Sequence, residues 1–248
     1  MINFLLAIFF SAIVTLIYSL YAEKNKVFAL VNKRSLHKTP VVTGAGIVLG
    51  LCFFCLFLFN SHQKIHFSEN HFMIMAFLLS FILSIFGWYD DKYDIAALKK
   101  LLFQIFISII YASLYVINFI PDENIFIQFI SIVSIMFLLV VSINCFNFMD
   151  GINGLALSLA LYLLISLIIL DKNILVKEEI IFLIATLLIL IIFNIKNKLF
   201  IGDAGSISLG FFIGVILLNE MLVKNISFTT VAILIAYWVS DTVCTFFG

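Results

Sequence analysis

The 248 residues are 64% hydrophobic and 11% charged, and 14 basic side chains offset 14 acidic ones. Soluble domains sit near half apolar and a quarter charged, so this chain cannot cover a water-facing surface. Balanced charge names no partner by itself; the lipid bilayer is expected as one, and nucleic acid is not.

A helix needs about 20 mainly apolar residues to cross the hydrocarbon, with about 17 as the practical minimum. By that measure the predicted spans lie near residues 2–22, 41–60, 71–88, 101–119, 125–143, 155–170, 180–195, 207–222 and 229–247. The expected fold is therefore all-α, a polytopic membrane protein of about nine transmembrane helices forming a single domain over 1–248. Phenylalanine is abundant (29) and proline scarce (2), which suits uninterrupted helices. The first run has no basic region before it and no small-residue cleavage site after it, so it reads as a retained helix and not a signal peptide. Cys52, Cys55, Cys145 and Cys244 fit neither a disulfide framework nor a zinc site, since the Cys52–Cys55 pair lies inside the apolar run GLCFFCLFLF.

Orientation follows from the basic residues in the loops. Loops after odd-numbered spans carry Lys24, Lys26, Lys33, Arg34, Lys38, Lys92, Lys99, Lys100, Lys196 and Lys198, whereas the others carry Lys64, Lys172, Lys177 and Lys224. Ten against four predicts cytoplasmic odd loops and an N-terminus outside.

The same odd loops hold the chemistry. They read NKVFALVNKRSLHKTPVVTGAG, YDDKYDIAALKK, NCFNFMDGING and IKNKLFIGDAGS, and only they combine carboxylates and amides with glycines. Adjacent carboxylates such as Asp90 and Asp91 repel near low dielectric unless a cation or proton offsets them. Magnesium with a phosphorylated ligand is a natural offset, because it takes carboxylate and phosphate oxygens together. Asp94, one turn later, reads as a solvated helix end. Asn144, Asn147, Asp150 and Asn153 recur every three residues, which at helical spacing lines one face with polar groups. Gly202, Asp203, Gly205 and Ser206 precede the eighth span, placing a carboxylate and free N–H groups where anionic groups and their metal are favoured. Ser206 also reads as an N-cap. In the first loop, Lys33, Arg34, His37 and Lys38 lead into Thr43, Gly44 and Gly46; such a basic segment is a topology signal, an anionic-lipid patch or a phosphate site. Together these loops describe a magnesium-compatible site at the membrane surface, able to join a water-soluble phosphate compound to a lipid.

In order and spacing the four loops resemble those of the polyprenyl-phosphate N-acetylhexosamine-1-phosphate transferase superfamily, which includes the bacterial MraY and WecA enzymes. The resemblance runs from about residue 33 to 242 through WYDDKYDI, NCFNFMDGINGLA and FIGDAGS. NKRSLHKTPVVTGAG is closer to the branch that starts O-antigen, lipopolysaccharide and related glycans than to the peptidoglycan enzyme, although Val41, Val42 and Ala45 depart from that branch's pattern. The resemblance implies a multi-pass protein of the bacterial inner membrane. It implies transfer of N-acetylhexosamine-1-phosphate from a UDP-sugar to undecaprenyl phosphate, releasing UMP. It implies Mg2+, or Mn2+ in its place, on Asp203 with Asn147 or Asp150. Asp90, Asp91 and Asp150 become the catalytic candidates. Asp90 would orient or deprotonate the lipid phosphate with Asp91 supporting it, and orientation carries more weight because a phosphate monoester has a second pKa of about 6. His37 and Lys38 become contacts to the lipid phosphate, and Asn144, Asn147, Asn153, Gly205 and Ser206 substrate contacts. A homodimer is compatible with all of this. The family continues past an Asp-Thr like Asp241-Thr242 into a histidine loop, and Gly248 lies where that loop is expected to begin.

Three other readings fit less well. An intramembrane aspartyl protease would need glycine at Phe200, and a CDP-alcohol phosphotransferase would need Ala-Arg after Asp150-Gly151. An ion or proton transporter should keep its acidic residues near mid-membrane, and these lie at span ends.

Overall fold

A backbone N–H in hydrocarbon has no partner but its own helix, so long apolar runs fold as helices. The computed structural model describes residues 2–29, 40–62, 71–170, 177–222 and 226–247. In chain order the elements are α1 (Ile2–Lys24), β1 (Phe28–Ala29), β2 (Val41–Val42), α2 (Ile47–His62), α3 (His71–Tyr93), α4 (Ala97–Phe119), α5 (Ile125–Met149), α6 (Leu155–Leu170), α7 (Lys177–Ile195), α8 (Gly202–Leu222) and α9 (Phe228–Phe247). Six of them, α1, α3, α4, α5, α7 and α8, are long and apolar enough to cross a membrane; α2 and α6 are shorter apolar helices. The structure is thus an all-α, multi-helix membrane protein.

Helix bounds differ from the hydropathy reading where polar residues sit at helix ends. Span three runs on to Tyr93 and span five to Met149, so Asp90, Asp91, Asn144 and Asn147 are helical residues. Span eight starts at Gly202, while residues 41–46, counted as membrane, form β2 and a turn before α2. The cause is physical: a polar side chain does not interrupt backbone hydrogen bonding when it has its own partner.

The bundle is arranged around α8, which is buried along nearly its whole length and packs on α2, α3 and α5. Lipid tails are as apolar as leucine, so helices in a membrane associate through close packing and hydrogen bonds more than through the hydrophobic effect. Ser142 of α5 accordingly donates to the Gly210 carbonyl of α8. At the N-terminal end of α8 the backbones nearly touch. A Cβ on Gly46 would lie 1.9 Å from the Gly205 backbone nitrogen. Gly46→Ala is therefore expected to push α2 off α8 and to destabilise the chain by about 1–3 kcal/mol. Thermal unfolding in detergent checks it, and an unchanged melting temperature would contradict this packing.

A small sheet closes that end. β1 and β2 pair antiparallel, Phe28 opposite Val42, and Val42 bridges in parallel to Leu199 ahead of α8. Phe200 N–H donates to Val42 O, Ala45 N–H to Phe200 O and Gly46 N–H to Ile201 O. Tyr18 of α1 donates to Thr43 O at 2.7 Å, fixing the turn from the other side. The described parts of the loops that follow α1, α3, α5 and α7 thus gather at one end of the bundle.

Candidate active site

Asp90 and Asp91 are neighbours in the last turn of α3, and successive helical residues point about 100° apart. They take different partners. Asp90, 5% exposed, accepts Ile95 N–H at 2.7 Å through Oδ1 and the Lys100 ammonium at 2.5 Å through Oδ2. Asp91 faces α8 and accepts Asp203 N–H at 2.9 Å and Ala204 N–H at 3.2 Å. It caps the first turn of α8, where a negative charge meets the positive end of the helix dipole. Gly202 makes that approach feasible: its φ is +64°, and a Cβ there would stand 2.4 Å from Asp91 Oδ2. The N–H groups expected to be free for an anionic ligand are thus taken by Asp91.

Asp203 is the hub. Its Oδ1 accepts from Asn147 Nδ2 at 2.8 Å and its Oδ2 from Lys100 at 3.1 Å. The Asp90 and Asp203 carboxyls lie within hydrogen-bond reach of each other. Asn147 Nδ2 also donates to Ser206 Oγ at 3.0 Å, and Ser206 Oγ donates to Gly202 O at 3.1 Å. Ser206 is fully buried in the second turn of α8, so it braces the helix start and is not its N-cap. Four helices, α3, α4, α5 and α8, thereby supply Asp90, Lys100, Asn147 and Asp203 to one point.

Asp150 follows α5 as its C-terminal cap, with φ −70° and ψ −3°. Burial raises its carboxyl well above the usual carboxylate range, the charges of Asp91 and Asp203 add to that, and a bond from Gly202 N–H opposes it. The expected stripe of Asn144, Asn147, Asp150 and Asn153 does not stay on one face, because α5 ends at Met149. Asn144, one turn deeper than Asn147, donates through Nδ2 to Gln104 Oε1 at 2.7 Å and to Val140 O at 2.8 Å. Asn153 donates to Asn197 across the two loops. Gly205, expected as a substrate contact, is buried against Gly46 and Ile201. Asp94 is exposed with φ +52°, the turn residue that ends α3. His37 and Lys38, and with them Lys33 and Arg34, lie outside the described residues.

Two residues of this end were not singled out from sequence. Lys100 counted only as a topology marker. A signal existed: a cation in the first turn of a helix is disfavoured by the helix dipole, so its presence there calls for carboxylate partners. Asn194, 3% exposed at the end of α7, accepts from Gly154 N–H and donates to Leu199 O at 3.1 Å. It ties the loop carrying Asp150 to the loop leading to Asp203.

The donor set is oxygen-rich, without cysteine or histidine, and so suits a hard cation such as Mg2+ or Mn2+. The ammonium shared by Asp90 and Asp203 shows that these oxygens already accommodate a cation. Among the described residues no three His, Cys, Asp or Glu side chains form a metal cluster. Magnesium does not require one, since it usually keeps several waters and takes one or two carboxylates plus substrate phosphate.

Comparison with known proteins agrees with the motifs. The model of glycosyl transferase family 4 matches residues 73–220. An undecaprenyl-phosphate alpha-N-acetylglucosaminyl 1-phosphate transferase of Yersinia pestis is 31% identical over 197 residues, covering 73% of this chain and 52% of the relative. The chain thus spans about half the length of that curated relative.

Proposed function

The chain belongs to glycosyl transferase family 4, and from that premise we propose that it transfers N-acetylhexosamine-1-phosphate from a UDP-sugar to undecaprenyl phosphate. An acceptor phosphate oxygen attacks the sugar-linked phosphorus, the bond to the UMP phosphate breaks, and the products are a lipid-linked sugar diphosphate and UMP. The observation that carries this reading is the meeting of Asp90, Lys100, Asn147 and Asp203 at one end of an apolar bundle. Such a place serves a reaction between a membrane-held phosphate and a soluble nucleotide.

The chemical problem is the approach of two anionic phosphates, so positioning and charge neutralisation dominate. Asp203, with Asn147 and Asp150 beside it, would hold Mg2+, whose charge offsets the donor diphosphate when bound. Asp90 orients the acceptor phosphate; its own orientation is set by Ile95 N–H. Lys100 adds a positive charge between the two carboxylates. Asp91 acts through the backbone, holding the Gly202–Ala204 turn in place.

In this reading the nine helices among the described residues cross the bacterial inner membrane, and the ten-to-four basic bias favours a cytoplasmic place for the α3, α5 and α7 loop ends, on the side of the UDP-sugar. The product would open assembly of a cell-envelope glycan. The test is direct: purified chain, undecaprenyl phosphate, Mg2+ and a panel of UDP-N-acetylhexosamines, with UMP release as the readout. Release that needs the lipid phosphate and stops in excess chelator supports the proposal. Release of no UMP from any donor counts against it.

A further inference from the structure

The two carboxylates at the centre of the site are built alike. Each has one oxygen committed to the scaffold: Asp90 Oδ1 to Ile95 N–H at 2.7 Å, and Asp203 Oδ1 to Asn147 Nδ2 at 2.8 Å. Each turns its other oxygen to the same ammonium, Lys100 Nζ, at 2.5 Å from Asp90 Oδ2 and 3.1 Å from Asp203 Oδ2. The committed oxygens fix both carboxylates, so the free pair stays aimed at one point whichever cation stands there. A lysine ammonium is a compact point charge on a flexible stem. The Lys100 side chain is a quarter exposed, and the first turn of α4 is an unfavourable place for it without these partners. Its charge is therefore held by the two carboxylates and is free to leave toward solvent.

We propose that Lys100 is an exchangeable cation: it keeps Asp90 and Asp203 together and gives up their Oδ2 oxygens to a divalent metal ion. This rests on the metal-assisted reading above and extends it: Asp90 would join Asp203 in holding the ion and orient the acceptor phosphate from there. The ion and the ammonium claim the same two oxygens, so metal binding moves Lys100 out of its ion pairs. Without such a lysine, adjacent carboxylates would repel and splay; with it, they remain prepared for the ion at the cost of competing with it. Lys99 is exposed and points elsewhere on α4, which makes it a control for charge alone.

The experiment is Mn2+ titration of the full detergent-solubilised chain, followed by electron paramagnetic resonance without substrates. Lys100→Met should bind Mn2+ at least about ten-fold more tightly than the unmodified chain, from loss of a charge a few ångströms from the ion. Lys99→Met should stay within about two-fold. If the unmodified chain binds Mn2+ and Lys100→Met binds it no more tightly, exchange is wrong while the metal reading survives. If neither binds Mn2+ without substrates, exchange is wrong, and the metal reading is decided by the chelator test of UMP release. A second measurement needs no variant: acetylation of Lys100, followed by mass spectrometry, should speed up at saturating Mg2+ while that of Lys99 does not. Equal Lys100 rates with and without Mg2+ overturn the proposal.

Discussion

Replacing Asp203 by alanine is expected to lower UMP release by about a hundred- to a thousand-fold, the usual loss for one essential group that stabilises developing charge, or about 2.7–4 kcal/mol. Asp203 is where the site's polar contacts meet: Asn147, Lys100 and the neighbouring Asp90 carboxyl all converge on its side chain. The same substitution should leave the fold intact. What secures the start of α8 is the residue's backbone N–H, held by Asp91, and alanine retains that N–H. Lys100 keeps its pair with Asp90. The assay is UMP release, run beside thermal unfolding of the same preparation in detergent. Turnover within ten-fold of the unmodified chain would remove Asp203 from the mechanism. A collapsed melting transition would show that its role is structural.

Asp150→Asn is expected to separate stability from activity, in opposite directions. The Asp150 carboxyl is held well above the usual carboxylate range, chiefly by burial and then by the charges of Asp91 and Asp203. Unfolded-chain aspartates titrate near about 3.9. A group whose folded value is raised contributes its full stability below that pH. The contribution is lost as pH climbs through the folded value, because the unfolded chain releases the proton first. Asparagine cannot ionise, so that slope should disappear. In chelator-containing buffer the variant should match the unmodified chain near pH 4 and melt higher at neutral pH. The rise should be about 2–4 °C for each kcal/mol of strain relieved. Transfer should fall by about a hundred-fold, since the removed carboxylate is one proposed to hold the metal. Melting curves from pH 4 to 8, with UMP release at neutral pH, decide it. A variant that melts lower, by a margin that grows as pH rises, would mean that Asp150 is a stabilising group in its ionised form.

The all-α membrane class was legible in the chain itself. Apolar runs of the required length, almost without proline, leave helices as the way to satisfy a backbone in lipid. The nine helices among the described residues follow the predicted runs in order, and six of them are long and apolar enough to cross a membrane. The candidate loops were also legible, because a carboxylate or amide is costly in so apolar a chain and stands out wherever it occurs. What each polar side chain faces was not. These helices are apolar around their whole circumference, so periodicity carries no record of which side turns inward. Hydropathy also ends a helix at its polar residues, although the backbone of α3 runs on to Tyr93 and that of α5 to Met149. From those unread turns follow the division of labour between Asp90 and Asp91, the parting of Asn144 and Asn153 from Asn147, and the arrival of Lys100 between two carboxylates. The sequence alone determined that charged groups would collect at the ends of apolar helices, because burying them unpaired in lipid is too costly. Their pairing was decided only in the folded bundle, because it depends on how α3, α4, α5 and α8 are rotated about their axes, and close packing around α8 sets that rotation.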